Sequence, residues 1–288
     1  ETIVLPMSAF DLVVQGKRIA ATDLAAIRGL VRGAAAERLA GEAFRVRHAD
    51  TAARDAVAEH CAAASLDWGY VAAERRLADF GLLALDMDST LITIECIDEV
   101  ADFAGRRDEV SAITAAAMRG DIDWPQSLHR RVAALAGLDE SVLDRVYRER
   151  LRLTPGAEAL LGAARRCGLR TLLVSGGFSC FAERLRDRLG FDEAHANHLV
   201  IENGHLAGRV SGPLVDAAGK ARHVARMRDA LALARERVLV IGDGANDVEM
   251  MGESGTSIAF HAKPIVRDSA TYALSHVGLE GVLNLFPA

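Results

Sequence analysis

Three continuous apolar runs end abruptly in polar residues: residues 80–85 (FGLLAL) before DMDST, residues 170–174 (RTLLV) before SGG, and residues 238–241 (VLVI) before GDGAND. Runs this apolar, without an alternation of polar positions, predict strands buried on both faces, as in a parallel sheet covered by helices. Helix-like stretches lie between and after them, at residues 156–167, 180–189, 221–235 and 247–253. That alternation predicts an α/β fold with a doubly wound parallel sheet. Ligands of such sheets bind beyond the carboxyl ends of the strands, where the three polar turns would gather.

Two insertions interrupt the alternation. Residues 95–153 read as several short helices, at 97–104, 108–118, 125–136 and 141–150, and predict a helical cap over the strand ends. Residues 198–210 alternate apolar and polar positions around Asn203-Gly204, the signal of a small β-hairpin flap. Ahead of the first buried run, residues 9–15 and 43–46 read as strands, 22–39 and 50–64 as helices, and 66–71 as a further strand. This predicts a small N-terminal α+β domain over residues 1–79, in the order β-α-β-α-β, followed by a core over 80–288. No cluster of catalytic residue types falls in 1–79, so regulation, oligomerisation or stability is the expected role, and a homodimer is allowed.

Composition narrows the function. At about 150 residues per domain, 288 residues accommodate two domains. A formal charge of −6 does not suit a protein that neutralises a nucleic-acid backbone. No apolar run reaches the roughly 18 residues of a membrane span, and no basic flank and apolar stretch mark a signal peptide, so the expected compartment is the cytoplasm. The four cysteines, Cys61, Cys96, Cys167 and Cys180, form no CxxC pair and read as reduced structural thiols. Of the basic residues 31 are Arg and three are Lys (Lys17, Lys220 and Lys263), so each lysine is a rare choice.

The strand ends carry the chemistry. Asp86 and Asp88, two positions apart after a buried strand, can divide the work of nucleophile and acid/base on one phosphorus atom. Taken alone, two strand-end aspartates are better explained as turn caps. A second acidic turn, Asp243 and Asp247, changes that balance, because convergent carboxylates need a cation. Oxygen donors with no Cys or His beside them point to Mg²⁺, held by Asp86, the backbone carbonyl of Asp88 and Asp243, with Asp247 in support. Ser175, Gly176 and Gly177 offer a hydroxyl and unobstructed amides to phosphate oxygens. Lys220, opening a helix after Gly219, adds a compact positive charge.

In this order DMDST, SGG, Lys220 and GDGAND resemble the motifs of the haloacid dehalogenase superfamily, and within it the phosphoserine phosphatases. The likeness covers about residues 80–286 and includes TLITIECIDE, WPQSLHRRV, ANHL and AFHAKP. It implies an α/β core with helical cap and flap, Mg²⁺, an aspartyl-phosphate intermediate and O-phospho-L-serine as substrate. The matching positions assign Glu95 to the substrate ammonium, Arg131 to its carboxylate, and Ser175, Gly176, Lys220 and Asn246 to phosphate or substrate contacts. Residues 1–79 resemble the N-terminal extension of longer bacterial members, where some carry an amino-acid-binding domain of the ACT type. A phosphotransferase acting on another alcohol, or a silent amino-acid-binding regulator, would share the same motifs.

Overall fold

A computed structural model describes residues 10–33 and 35–288. The amino-terminal segment runs β1 (Phe10–Gln15), α1 (Ala21–Val31), β2 (Ala36–Arg38), β3 (Ala43–Val46), α2 (Arg54–Ala64) and β4 (Asp67–Ala72). These four strands form an antiparallel sheet in the order β2-β3-β1-β4. The succession is therefore β-α-β-β-α-β, the split arrangement of ferredoxin-like units, rather than the expected β-α-β-α-β. The difference lies in the helix expected over 22–39. Arg32 turns into the left-handed region at φ 49°, and a Cβ on Gly33 would lie 2.2 Å from Val46 Cγ1. The chain is thus pulled off the helix to make the edge strand β2. Ala9 and Ala34, included in the expected strand and helix, lie outside the described residues.

The core sheet begins with β5 (Leu82–Leu85). Leu83 and Leu85 pack into one apolar layer, while Leu82 and Ala84 pack into the other. That two-sided burial is why the run carries no polar position. After β5 the chain enters α3 (Cys96–Phe103), α4 (Arg107–Met118), α5 (Trp124–Ala133) and α6 (Ser141–Arg145), which with the wide turn at Val146–Arg150 make the cap. It returns through α7 (Ala157–Arg166), β6 (Arg170–Phe178), α8 (Ser179–Leu189), β7 (Glu193–Glu202), β8 (His205–Ser211) and α9 (Ala217–Ala230). The last stretch is β9 (Val238–Gly242), α10 (Val248–Met251), β10 (Thr256–Phe260), α11 (Pro264–Ser269), β11 (Tyr272–Leu274) and α12 (Gly281–Leu285).

The sheet order is β11-β10-β9-β5-β6-β7-β8, parallel from β11 to β7 and antiparallel at β8. Residues Asn203 and Gly204, both at positive φ (51° and 77°), make the tight turn between β7 and β8. The flap is therefore an outgrowth of the sheet's own edge strand, not a separate hairpin. The apolar runs did not point to two of the strands, β10 and β11, since neither ends in a turn of catalytic residue types. SGG lies inside β6 as a bulge, where pairing with β7 jumps from Val174 opposite His195 to Phe178 opposite Asn197.

Candidate active site

The carboxyl ends of β5, β6 and β9 converge beneath the cap on a cavity of about 420 Å³. Every candidate residue named from the sequence lines it except Asp247, which is fully buried behind its wall. Asp86 leaves β5 at the floor. Lys220 enters from the first turn of α9, whose start is fixed by the Asp216 carboxylate accepting from the Gly219 amide at 2.7 Å. Its Nζ donates to Asp86 Oδ1 at 2.6 Å and to Asp247 Oδ1 at 2.7 Å. Asp247 Oδ2 in turn accepts from the amides of Asp243 and Gly244, at 3.1 and 3.0 Å. Both oxygens of Asp247 are thereby committed to holding the turn and the lysine. Thr90, beside the first acidic pair, donates to Asp243 Oδ1 at 3.0 Å and ties the two turns together.

Asp86, Asp243 and Asp247 each bring a carboxylate oxygen within 4.8 Å of the others, with one ammonium among them. Burial, followed by the charge of Asp247, pushes the Asp86 carboxyl well up despite Lys220, and burial followed by Asp247 raises Asp243 to about 6. The ammonium stays charged, because Asp247 and Asp86 together outweigh its own desolvation. The cluster thus holds more negative charge than one lysine neutralises. An oxygen-only donor set with unmet negative charge fits a divalent cation.

Asp88 stands next to this group. Its Oδ1 accepts from the Cys96 amide at 3.1 Å, which aims it from the hinge of the cap. A Cβ at Gly177 would lie 2.5 Å from Asp88 Oδ2, so only glycine lets the β6 bulge approach. Burial, and then the charge of Glu95, raise Asp88 to about 7. Ser175, buried, accepts from the Gly177 amide at 2.8 Å. That amide is therefore already engaged, while the Ser175 hydroxyl keeps its own proton to donate.

Two opposite charges project from the cap. Glu95 is reachable by solvent through the cavity mouth and enclosed by protein elsewhere, so desolvation raises its carboxyl, while Ser89 Oγ donates to it at 2.8 Å. Arg131, on α5, has no ion-pair partner among the described residues, and its buried Nε has no hydrogen-bond partner. Desolvation lowers its pKa, against the attraction of Asp98 and Glu95. A half-buried guanidinium without an anion, facing a cavity, is arranged to receive one.

Some supporting groups have no counterpart among the residues the sequence pattern singles out. Asn197 donates to the Gly176 carbonyl at 2.9 Å and accepts from the Val215 amide at 2.9 Å, clamping the bulge. ANHL enters the sequence reading only as part of a likeness, because an asparagine in a strand carries no chemical signature of its own. Thr90 and Ser89 are likewise hidden inside DMDST by the two aspartates.

Comparison with known proteins supplies the remaining facts. The family model for haloacid dehalogenase-like hydrolases matches residues 83–252, and one for a domain of unknown function matches residues 12–57. The chain is 49% identical over 215 residues to a phosphoserine phosphatase of Polaromonas sp., a match spanning 73% of this chain and 91% of the relative. Among solved structures, a probable phosphoserine phosphatase from Vibrio cholerae superposes with a TM-score of 0.83 at 31% identity, covering 99% of this chain and 88% of that one. A phospho-aspartyl intermediate analogue of phosphoserine phosphatase superposes with a TM-score of 0.68 at 34% identity, over 72% of this chain and 99% of that one. Among the described residues no helix is long and apolar enough to cross a membrane.

Proposed function

The chain belongs to the phosphoserine phosphatase family of haloacid dehalogenase-like hydrolases, and from that membership we propose that it hydrolyses O-phospho-L-serine to serine and phosphate at the cavity under its cap. The observation that carries the substrate is the pairing of Glu95 and unpartnered Arg131 above a floor that brings the Lys220 ammonium and the Ser175 hydroxyl beside Asp86. A zwitterionic phosphomonoester needs an anion for its amine, a forked cation for its carboxylate, and donors for its phosphate.

In this reading Asp86 Oδ attacks phosphorus, and the bond from phosphorus to the serine oxygen breaks. Asp88 gives its proton to that leaving oxygen, which departs as the hydroxyl of serine. The aspartyl phosphate on Asp86 is then attacked by water, whose proton Asp88 takes back. The bond from phosphorus to Asp86 breaks, releasing phosphate and restoring both side chains. A carboxyl raised to about 7 serves both halves, as acid first and base second. Lys220 holds the nucleophile in place and, with Ser175, Gly176 and Asn246, receives the phosphate oxygens. Asp86, Asp243 and the Asp88 carbonyl would hold Mg²⁺, with Asp247 supporting them, and the bound ion neutralises charge on the transferring group. Four unpaired cysteines suit a cytoplasmic setting.

The test is phosphate release from L-phosphoserine, phosphothreonine, glycerol phosphate and p-nitrophenyl phosphate, each with Mg²⁺ and with EDTA. Metal-dependent preference for phosphoserine is expected. Equal rates on all esters would discard the substrate while keeping the Asp86 chemistry, and no release from any would remove both.

A further inference from the structure

A second cavity, of about 350 Å³, shares no lining residue with the first. Five stretches of the chain enclose it: Lys17 after β1, Ser89 and Thr93 in the turn that follows Asp86, Thr154 and Pro155 ahead of α7, His261 after β10, and His276 after β11. Its lining holds a lysine, two histidines and three hydroxyl side chains, and no carboxylate. The nearby acids are engaged by backbone amides at the wall itself: Asp67 accepts from Ser275, His276 and Val277, and Glu280 accepts from Gly278. Lys17 has no ion-pair partner among the described residues, in a chain that uses Lys only three times against 31 Arg.

Ser89 links the two cavities, lining the second and bonding a residue of the first. It stands at φ 56°, an uncommon conformation for a residue other than glycine, and its Oγ donates to Glu95, which lines the first cavity. A hydroxyl has one proton to donate. If Ser89 gives that proton to a ligand on the Lys17 side, Glu95 loses its donor. Thr154, the third hydroxyl, is committed to the Thr90 carbonyl at 2.7 Å, whereas Thr93 makes only a long bond to the Arg152 carbonyl at 3.5 Å, which a ligand would have to displace.

We propose that this groove binds a small oxyanion, a phosphate or a carboxylate, between the Lys17 ammonium and the hydroxyls of Ser89 and Thr93, and that its occupancy weakens the grip of Glu95 on the substrate amine. The first half rests on the groove alone. The second half rests on the reading of Glu95 given above.

Selenate is a suitable probe, because crystals of the full chain soaked in it report anion positions by anomalous scattering without any turnover. A peak within hydrogen-bond reach of Lys17 is expected, and it should vanish in Lys17→Glu while any peak under the cap persists. No peak at Lys17 in the wild-type chain would overturn the proposal. Displacement by inorganic phosphate but not acetate identifies a phosphate ligand, and the reverse a carboxylate. In solution, selenate should raise KM for phosphoserine over that for p-nitrophenyl phosphate by roughly tenfold, the weight of one charge-assisted hydrogen bond. Lys17→Glu should abolish that difference with kcat unchanged. A selenate peak with equal effects on both substrates would reduce the groove to an adventitious ion only and overturn the coupling. The anomalous peak is independent of catalysis, so failure of Glu95 itself, seen as an unaltered KM for phosphoserine in Glu95→Gln, is told apart from failure of the groove.

Discussion

Asp86 and Arg131 have roles that separate cleanly by kinetics. Asp86→Asn removes the nucleophile and leaves the cavity's other donors, so turnover should be lost while phosphoserine still binds. Rapid-quench measurement of a phosphate burst from this variant would contradict the assignment. Arg131 contributes a guanidinium with no internal partner, and its removal strands no buried anion. Arg131→Ala should therefore raise KM for phosphoserine by about ten- to a hundredfold, the value of one or two hydrogen bonds to a charged group. KM for p-nitrophenyl phosphate, which has no carboxylate, should hardly change, and equal rises on the two substrates would take Arg131 out of recognition. Asp86 and Lys220 were legible in the sequence because a second acidic turn accompanies the first and the lysine stands in a chain that otherwise uses arginine, whereas Arg131 and Glu95 entered only through the family resemblance. Asn197 and Ser89 were not legible, since their importance lies in which backbone atoms and side chains they meet after folding.

Helix α9 and strand β7 illustrate what an element needs beyond its periodicity. The helix was expected to start at 221, yet it begins at Ala217, because Asp216 caps it and draws Lys220 into its first turn. Asp216→Ala should cost about 1 kcal/mol of stability, read as a lower urea midpoint at unchanged slope. Farther along, His223 stacks on His195 of β7 with ring centroids 4.0 Å apart, and its buried Nδ1 has no partner. Burial, and then the neighbouring His195, lower His223 to about 4, with Arg226 and Arg222 adding to the effect and Glu193 opposing it. An unfolded histidine takes its proton near pH 6.5. Between the two values the unfolded chain binds a proton that the folded chain refuses, so stability from this group is full above about 6.5 and is lost as pH falls toward 4. His223→Phe keeps the stack and removes the proton. Its denaturation midpoint should fall less steeply than the wild type's across that window, and parallel slopes would show that His223 does not titrate there. The buried runs β5, β6 and β9 were readable because two-sided burial leaves a continuous apolar signature. Strand β2 was not, since its end of α1 is decided by Gly33 meeting Val46, a contact made across the fold.

At the scale of the whole molecule, the two sheets are joined by buried polar groups that neither could satisfy alone. Arg45, 2% exposed, pairs with Asp11 and donates to the carbonyls of Asn284 and Leu285, at 2.9 and 3.0 Å, from β3 to α12. Gln15 of β1 donates to the Gly281 carbonyl and accepts from Asn284, and Asp67 of β4 binds three successive amides after β11. Tyr272 of β11 donates to the Tyr70 carbonyl of β4, so the two sheets meet edge to edge. Such contacts hold the N-terminal unit against the core. Cooperative unfolding should follow. In Trp124→Phe the remaining tryptophan, Trp68, reports on the N-terminal unit, and its fluorescence should change at the same denaturant concentration as far-ultraviolet circular dichroism. Arg45→Ala in the same background strands two carbonyls and weakens the hold on buried Asp11, which keeps Arg47 at 2.7 Å. Its cost should be about 3 kcal/mol, as when one partner of a buried pair is removed, with the two probes now separating. A fluorescence transition that already precedes the dichroism change before Arg45 is altered would mean that the sheets unfold independently, and the buried contacts would then align the N-terminal unit without stabilising the core.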